Sequence, residues 1–535
     1  MQWLSHHIDY KDTDYFPQII LDYIHQNDGL LPFINSFPSI EGIQDAITKR
    51  KHVNTNREEL VAHLRHQYQQ VNASDKVLHS ISKLSEESTF TITTAHQPNL
   101  LTGPLYFVYK IAHAIKLAAY CNAHIPDYNF VPVYYMGMED ADFLELNHFT
   151  VQGKKYVWET SQSGAFGKMK VDQALIQLLN QLESQIASLP HAISMMLQLR
   201  RCFTEGKTIA AATFEFIHHL FERYGLVVLM PDSNALKSLL QDVMKDDLIN
   251  HTAHSILEEV KSTYPYPNAW QANPRPINLF YFKDNIRERI ELQKERYQVL
   301  NSDISFSQGE LLDELEQHPE RFSPNVIIRP LLQEILLPNL VYIGGAGELS
   351  YWLQLKKIFD HYHIPYPVLM LRSSFILMTD KQHNQWAKLG FNMQDIFKSA
   401  EELLAAYVKC NTKHTISFEE EKRNLEQQFD EIGLKATNVD ITLKAHVAAL
   451  HRNLQKKILE LEKKMLRAEK RRFEEAARQI AQLTNNLFPD KTLQERKEGM
   501  MGFYATWGAA WIDQIVQHIP IPEQKMTVLT YPLSY

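Results

Sequence analysis

Glycine and cysteine are both scarce in this chain. Only 18 of its 535 residues are glycine, roughly half the usual share of about 7%. The three cysteines, Cys121, Cys202 and Cys410, lie far apart in the sequence. They indicate neither a disulfide framework nor a Cys-x-x-Cys zinc site. A reducing compartment is therefore expected, and a cluster of glycines in such a chain marks a position of interest.

Long apolar runs are also missing. No uninterrupted apolar segment is long enough to span a bilayer, and residues 1–16 lack the apolar region of a signal peptide. The 55 Lys and Arg residues against 63 Asp and Glu give a net charge of −8. This balance argues against broad, non-specific binding to nucleic acid. We expect a soluble, cytoplasmic protein with no membrane and no nucleic-acid partner.

Between about residues 88 and 375, short apolar runs alternate with longer helical patterns. A helix is predicted over 104–119, with a proline in its first turn. Strands separated by helices form a parallel sheet that is covered on both faces, so the pattern predicts a doubly wound α/β fold. The predicted strands are 89–94, 129–136, 225–230, 340–343 and 366–371.

The spacing of these strands predicts insertions. A plain βα unit takes about 30 residues, whereas the second and third predicted strands, and the third and fourth, are much further apart. Residues 151–222 and 240–325 are therefore predicted to be largely helical insertions. The core domain is predicted to be 1–400, and 489–535 is predicted to be a C-terminal segment that returns to it.

A coiled-coil pattern begins near residue 415, and the coiled-coil domain is predicted to be 401–488. Its phase slips near Arg471, and an earlier helix is predicted to end near Gly433. An unpaired seam would expose a large apolar stripe, so either the two helices close as an antiparallel hairpin or the seam forms a homodimer. The seam residues recur every three or four positions: Leu443, Val447, Leu450, Leu454, Ile458, Leu461 and Met465.

The glycine motif at 344–350 lies between a predicted strand and a predicted helix. This arrangement holds an anionic group against free N–H groups at a helix N-terminus. Arg329 would add a planar fork for a carboxylate or phosphate. The alternative is a tight turn that binds nothing. The candidate ligand-binding residues here are Arg329, Gly344, Gly345, Gly347, Glu348, Tyr351 and Gln354.

A second loop follows the first predicted strand. It combines hydrogen-bond donors, a candidate general base in His96 and the positive end of a helix dipole. Lys110, two turns into the helix, is placed to reach back toward an anion. The alternative is a capped loop with Thr102 as the helix N-cap. The other candidate binding residues of this segment are Gln97, Asn99, Thr102, Gly103 and Tyr106.

The third segment is acidic and follows the second predicted strand. Carboxylates at a strand end can bind an ammonium group or a magnesium ion with its waters, or act as a general base. The alternative is a solvated acidic turn. A hydrolase is a weaker interpretation, because no serine elbow or His-Glu-x-x-His motif accompanies the segment. The candidates are Glu139, Asp140, Asp142, Asn147 and His148, with Asp232 after the third strand as an alternative ribose- or amine-binding carboxylate.

These segments, in this order, resemble the cysteine-adding enzymes of bacillithiol biosynthesis, a cysteine ligase family. The resemblance runs nearly end to end. It implies a Rossmann-like core related to nucleotidyltransferases and class I tRNA synthetases, inserted helical connecting segments, and a coiled-coil arm involved in dimer formation. It rests on NLLTGPLYFVYK (99–110), MEDADFLELNH (138–148), GLVVLMPDS (225–233), IIRPLLQEILLPNLVYIGGAGELSYWLQLK (327–356) and LQER (493–496).

The resemblance implies the final step of bacillithiol biosynthesis, which joins the cysteine carboxyl to the amino group of glucosaminyl malate. The carboxyl must be activated, either as a cysteinyl-adenylate formed from ATP with Mg²⁺ or as an acyl phosphate with release of ADP. No Walker A motif or kinase-type glycine loop is present, so ATP is expected from the resemblance alone. The expected catalytic residues are Glu139, Asp142 and His96.

Two departures from the family pattern bear on the acid–base assignment. Ala141 stands where the family often has histidine, and His96 stands where glutamine is common. A different class of protein also fits the pattern: a non-catalytic coiled-coil dimer whose α/β head binds a metabolite or nucleotide. A ligand bound without turnover would distinguish it from the ligase.

Overall fold

A computed structural model of the protein describes residues 3–283, 286–412 and 417–532. The chain divides into two compact units. The larger comprises His7–Ile376 and Gln494–Leu529, and the smaller comprises the described parts of Met1–His6, Leu377–Leu493 and Thr530–Tyr535. The limits of these two units differ from the domain boundaries predicted at residues 400 and 488. The predicted domain boundaries stay a prediction. The predicted start of the coiled-coil pattern near residue 415 lies outside the described residues.

The strands are numbered in chain order. They are β1 Leu4–Ile8, β2 Thr89–His96, β3 Asn129–Met136, β4 His148–Val151, β5 Lys154–Val157, β6 Val227–Leu229, β7 Leu279–Lys283, β8 Ile286–Gln293, β9 Arg296–Val299, β10 Ser305–Phe306, β11 Phe322–Pro324, β12 Asn339–Gly344, β13 Val368–Leu371, β14 Phe375–Thr379 and β15 Met526–Tyr531.

The α-helices are numbered in the same way, and none in the described ranges is both long enough and apolar enough to cross a membrane. They are α1 Gln18–Ile24, α2 Ile40–Arg50, α3 Arg57–Tyr68, α4 Asp75–Lys83, α5 Tyr106–His124, α6 Phe143–Leu146, α7 Gln173–Ile186, α8 Ala192–Cys202, α9 Ile209–Phe221, α10 Asn234–Ser238, α11 Gln241–Ile249, α12 Thr252–Thr263, α13 Gln308–Gln317, α14 Arg329–Leu336, α15 Ala346–His361, α16 Asp380–Lys388, α17 Ala400–Asn411, α18 Glu419–Val439, α19 Leu443–Lys470, α20 Glu474–Leu487, α21 Met501–Trp507 and α22 Ala509–Gln517.

A five-stranded parallel sheet forms the centre of the larger unit. Its strand order is β13-β12-β2-β3-β6, so all five predicted strands meet in one sheet and the predicted α/β fold class is confirmed. β2 and β3 pair over their full length, from Thr89 with Asn129 to His96 with Met136. The chain builds outward from β2 through β3 to β6 and then returns to the other side of β2. The strand order therefore reverses between β2 and β12, where ligands bind in such sheets.

Helix α5 lies against the centre of this sheet and is buried along most of its length. Its middle turns pack with α2 and the strands in one apolar cluster that includes Ile43, Ile92, Leu117 and Val341. The predicted Thr102 N-cap is wrong, because α5 begins at Tyr106, follows Leu105, and has no side-chain cap. The position of α5 near the strand ends is therefore fixed by its burial against β2 and β3, and not by a capping side chain.

The two insertions differ in structure. In 151–222 the chain forms the end of a β4–β5 hairpin and then α7 to α9, so it is largely helical. In 240–325 the helical interpretation holds for α11 to α13 and is corrected for the rest. There, β7 to β11 form an antiparallel sheet of order β10-β9-β8-β7-β11.

The smaller unit contains the coiled-coil segment. α18 and α19 pack against each other as a hairpin, with the Phe429 and His451 rings stacked at a centroid distance of 4.9 Å. The seam therefore closes only in part within the chain: Val447 is buried, whereas Leu443, Leu450 and Leu461 are 38%, 48% and 48% exposed. α18 continues past the predicted end at Gly433 to Val439. The predicted phase slip coincides with a 3₁₀ turn, Arg471–Phe473.

Candidate active site

A cavity of about 750 Å³ lies in the larger unit at the carboxyl ends of the parallel strands. All five strands contribute lining residues at or just beyond these ends: 95–97 from β2, 135–142 from β3, Pro231 after β6, 345–348 after β12 and Arg372 after β13. The cavity thus occupies the switch point of the sheet. The predicted site residues that line it are His96, Gln97, Tyr106, Lys110, Glu139, Asp140, Asp142, Arg329, Gly345, Gly347, Glu348 and Tyr351.

The helix that follows the glycine motif, α15, is capped by one of its own side chains. Glu348 accepts hydrogen bonds from the Gly345 N–H at 2.7 Å and the Tyr342 hydroxyl at 2.9 Å, and it forms an ion pair with buried Lys110. Lys110 also donates to the Ala95 carbonyl at 3.1 Å. Burial alone would raise the pKa of Glu348, but the Lys110 charge and these donors outweigh it and lower that pKa to about 2. Glu348 is therefore a permanent carboxylate at this helix N-terminus.

Space for a ligand remains beside this carboxylate. A methyl group built on Gly345 would find only Glu348 Oε2, at 3.4 Å, and Arg372 Nε, at 3.7 Å, within 4 Å. Leaving aside its chain neighbours and the backbone of its own helix, a methyl group on Gly347 would meet Gln271 Oε1 at 4.0 Å among the described residues. The first turn of a helix has N–H groups without intrahelical partners. The glycine motif thus leaves the start of α15 open to an anionic group of a substrate.

Two arginines, the buried Arg372 and the half-buried Arg329, line the cavity near this helix. Arg372 donates to Glu495 Oε1 at 2.6 Å, and the two side chains are 5% and 0% exposed. Its guanidinium lies 5.3 Å from the ring centroid of Tyr106. Arg329 donates to Gln333 Oε1 at 3.3 Å. We name the cationic side of the cavity by its four members, Lys110, Arg329, Arg372 and Arg496.

A second group of lining residues carries the opposite charge. The Glu139 carboxylate forms an ion pair with Lys237, which is buried. Asp140 accepts a hydrogen bond from the Gln97 amide at 2.9 Å and another from the Asp142 N–H at 3.3 Å. We name the acidic side of the cavity by its members, Glu139, Asp140, Asp142 and Glu145.

Two carboxyls of the acidic side have a raised pKa. The charge of Asp140, followed by burial, raises the pKa of Asp142, and the nearby Arg287 opposes this. Burial, followed by the charges of Asp142 and Asp140, raises the pKa of Glu145. A carboxylate with a raised pKa accepts a proton more readily at neutral pH. Asp142 and Glu145 are therefore better placed to take a proton than an ordinary surface carboxylate.

His96 has the opposite character. Its Nδ1 lies 3.2 Å from the Gln97 carbonyl, and its ring packs near those of Tyr106 and Phe107. Burial and the charge of Lys110 lower the pKa of His96 to about 3. A base with so low a pKa is poorly matched to proton transfer at neutral pH. The environment favours a neutral, hydrogen-bonding His96, and its catalytic role stays a prediction.

The predicted loop residues at 99–103 lie outside the cavity lining. Asn99 and Thr102 are each 1% exposed, and the Thr102 backbone has φ of 70°. Gly103 has φ of +55°, and a Cβ there would lie 2.9 Å from Asn99 Cβ. Only glycine fits this position without strain. The structure gives these residues a part in shaping the turn, and their binding role stays a prediction.

Five further candidates also lie outside the lining, in structural contacts. Asn147 donates to the Trp158 carbonyl, His148 begins β4, and Asp232 forms an ion pair with Lys168. Gly344 is the last residue of β12. Gln354 Oε1 accepts from the Ala272 N–H at 2.8 Å. These contacts hold the frame around the cavity, and ligand binding by these residues stays a prediction.

The candidates drawn from the sequence leave out six charged lining residues: Glu145, Lys237, Arg287, Arg289, Arg372 and Arg496. Arg372 directly follows a predicted strand, so the strand-end rule that identified Glu139 could also have identified it. Arg287 lies on β8, in a segment predicted to be helical, and donates to the Ser323 hydroxyl at 3.1 Å. Lys237 lies on α10 and carries no motif. Its position beside the acidic side follows from tertiary structure alone.

No group of three or more His, Cys, Asp or Glu side chains is arranged to hold a metal ion anywhere in 3–283, 286–412 or 417–532. The acidic side nevertheless supplies carboxylate oxygens of the kind that Mg²⁺ prefers. Binding of Mg²⁺ at this cavity stays a prediction.

A parallel sheet with a charged cavity at its switch point defines a Rossmann-like α/β protein. The chain belongs to the bacillithiol-biosynthesis BshC family. The model of that family's N-terminal Rossmann-like domain matches residues 4–373, and the model of its C-terminal coiled-coil domain matches residues 375–531. The family resemblance seen in the sequence is thereby confirmed.

Full-length relatives support the same assignment. The chain is 38% identical to a protein of Flavobacterium psychrophilum, with 95% of this chain and 96% of the relative covered. It is 37% identical to a protein of Flavobacterium johnsoniae (98% and 99% covered) and 36% identical to one of Christiangramia forsetii (98% and 98% covered). All three are named "Putative cysteine ligase BshC". The prediction of a ligase is confirmed at the level of enzyme class.

Proposed function

We propose that the protein forms the amide between the cysteine carboxyl and the amino group of glucosaminyl malate, the final step of bacillithiol biosynthesis. The observation that carries this proposal is that one cavity is lined both by cationic residues and by acidic residues, the two groups named above. An amide-forming ligase has to bind anionic carboxyl or phosphate groups and an amine in one enclosed space. A cavity with only one sign of charge would suit one of these groups and repel the other.

Carboxyl activation is assigned to the cationic side. In the proposed step, a cysteine carboxylate oxygen attacks the α-phosphorus of ATP, which gives a cysteinyl-adenylate and releases pyrophosphate. Arg329 and Arg372 would neutralise the phosphate charge, and the first turn of α15 would add backbone N–H donors. Mg²⁺ would accompany the nucleotide and stabilise charge on its phosphate oxygens. An acyl phosphate formed with release of ADP is the second route.

Amide formation is assigned to the acidic side. The incoming group arrives as an ammonium and must lose a proton before its nitrogen can attack the activated carbonyl carbon. Glu139 would bind this ammonium, and Asp142, with its raised pKa, would take the proton. Attack forms the C–N bond, and the bond between the carbonyl carbon and the phosphate oxygen breaks, so that AMP leaves. His96 would contribute a hydrogen bond rather than a proton.

The test is mass spectrometry of the purified protein incubated with cysteine, glucosaminyl malate, Mg²⁺ and ATP. A reaction without ATP and a Glu139→Gln variant are the controls for chemistry. Glu310→Gln is the matched control, because Glu310 caps the exposed start of α13, away from the cavity. We expect an ATP-dependent bacillithiol mass from the wild type and from Glu310→Gln, and a much slower reaction from Glu139→Gln.

The nucleotide product identifies the route. AMP with pyrophosphate supports the adenylate, and ADP with phosphate supports the acyl phosphate. Wild-type rates in Glu139→Gln would overturn the role of the acidic side. Binding of cysteine or nucleotide without any product would favour the non-catalytic alternative, a coiled-coil protein with a metabolite-binding head.

We further propose that the protein is a cytoplasmic homodimer that associates through its coiled-coil hairpin. Several apolar side chains of the hairpin are exposed in the single chain, including Leu434, Val439 and Ile441 at 70%, 83% and 72%. Exposed apolar clusters of this kind favour association. Light scattering should give twice the chain mass for the wild type and a lower mass for Leu434→Glu. A monomeric wild type would overturn this proposal.

A further inference from the structure

Lys237 is a buried cation that no motif or family match assigns. Its side chain is 1% exposed and lies in α10, the helix that follows β6. The ammonium donates to the Glu139 carboxylate, to the Phe322 carbonyl at 2.9 Å and to the Glu320 carbonyl at 3.4 Å. A lysine ammonium has three donors and no acceptor. All three are therefore used inside the protein.

The partners of Lys237 come from separate parts of the chain. Glu139 lies beyond β3, whereas Glu320 and Phe322 lie in the second insertion, where β11 begins. Two of the three donors fix the ammonium to backbone carbonyls, which cannot rotate away as side chains do. The remaining donor then fixes the direction of the Glu139 carboxylate. Glu139, which is 15% exposed, is thus held from behind while it faces the cavity.

Lys237 differs in this respect from the cations of the cationic side. Arg329, Arg496 and Lys237 all line the cavity, but an arginine has five N–H donors and keeps some of them for a ligand. The ammonium of Lys237 already has three acceptors, so it has no donor left for a substrate. It can affect the reaction only through the residue that it holds.

We propose that Lys237 is a positioning residue that orients Glu139 toward the incoming amine. The proposal rests on the proposed function. When Lys237 holds the Glu139 carboxylate in one direction, the carboxylate binds the ammonium near the activated carbonyl carbon. The amine is then already oriented for attack when it binds. Without Lys237, Glu139 would be free to turn toward other cations such as Arg287, and amine capture would weaken while carboxyl activation would continue.

The test is a double-mutant cycle on amide formation with Lys237→Met, Glu139→Gln and the double variant. We expect Lys237→Met to lower kcat/KM for the amine substrate roughly 10- to 100-fold, with cysteine-dependent cleavage of ATP nearly unchanged. The double variant should be no slower than Glu139→Gln alone, because Lys237 acts through Glu139. Lys237→Arg should recover part of the rate.

Lys207→Met is the matched control. Lys207 also pairs with a glutamate, Glu215, at 2.8 Å, but this pair lies outside the cavity. Its removal should leave both reactions unchanged. A merely structural role for Lys237 would instead lower amide formation and ATP cleavage together, and the losses from Lys237→Met and Glu139→Gln would multiply in the double variant. That pattern would overturn the proposal.

If the proposed function is wrong, the wild type makes no amide product, and this result can be told apart from failure of the Lys237 proposal. The double-mutant cycle is then measured as the melting temperatures of the wild type, the two single variants and the double variant. A positioning pair predicts that the double variant loses clearly less than the sum of the two single losses. Additive losses would show that Lys237 does not act on Glu139 and would overturn the inference without any reference to turnover.

Discussion

Replacing Glu348 with glutamine is the most direct test of the electrostatics at the start of α15. The glutamine amide oxygen can still accept the Gly345 N–H, so the helix cap is kept. The charge that neutralises Lys110, a residue only 3% exposed, is lost. Removing one partner of a buried ion pair is strongly destabilising, because the other charge stays buried without compensation.

The size of the effect follows from the pKa of Glu348. That pKa is 4.5 in an ordinary setting and about 2 in the folded protein. At about 1.4 kcal/mol per pKa unit, the native environment stabilises the ionised carboxylate by about 3 kcal/mol at neutral pH. Because the folded pKa is the lower one, this stability is present above pH 4.5 and is lost as the pH falls toward 2. The difference between wild type and Glu348→Gln should shrink by about 1 kcal/mol at pH 4.

The assay is thermal unfolding of wild type and variant between pH 4 and pH 8. Glu310→Gln is the matched control, because Glu310 makes the same type of cap at an exposed helix start and accepts the Ser307 N–H at 2.6 Å. We expect a clear loss in melting temperature for Glu348→Gln and almost none for Glu310→Gln. Lys110→Met combined with Glu348→Gln should be less destabilised than the sum of the single variants. A loss that is the same at pH 4 and pH 8 would refute the reasoning.

Three further outcomes concern activity. His96→Gln should keep the wild-type rate within about threefold and leave the acid limb of the pH–rate profile unmoved, because burial and Lys110 already keep His96 neutral with a pKa of about 3; a displaced limb would restore it as the base. Asp140→Asn removes the charge that most raises the pKa of Asp142, so the acid limb of kcat/KM should move to lower pH; an unmoved limb would exclude Asp142 as the base. Gly345→Ala places a methyl 3.7 Å from Arg372 Nε and should raise KM for the anionic substrate about tenfold at an unchanged melting temperature; an unchanged KM would mean that no ligand approaches there.

The parallel sheet could be predicted because its strands are buried on both faces. Such strands form continuous apolar runs that stand out from the helical patterns between them. The second sheet, β7 to β11, could not be predicted in the same way. β8 reads Ile-Arg-Glu-Arg-Ile-Glu-Leu-Gln over Ile286–Gln293, and Arg, Glu, Leu and Gln are all good helix formers. Antiparallel pairing with β7 and β9 overrides that local preference.

The same distinction applies to the candidate site: part of it could be predicted from the sequence and part could not. Residues at or just beyond the ends of the buried strands, such as His96, Glu139 and Glu348, could be placed near each other from the strand-end rule alone. The rule gives position along the sheet edge and says nothing about which side chains pair. The pairing of Glu139 with Lys237 and of Arg372 with Glu495 brings together residues far apart in the chain. Those partners, which decide the charge state of the cavity, require the tertiary structure.

The internal partners also explain how one cavity keeps charges of both signs. If a lysine and a glutamate faced each other freely across this cavity of about 750 Å³, they would attract each other. The pair would then compete with the charged groups of a zwitterionic substrate. Here several of the charges are held from behind by a residue of opposite sign. Lys237 holds Glu139, Lys110 holds Glu348, and Glu495 holds Arg372. Fixed dipoles and charges need little reorganisation when a ligand arrives. Substitutions of these holding residues should therefore change how substrates are oriented as well as how stable the protein is, which is what separates them from ordinary buried ion pairs.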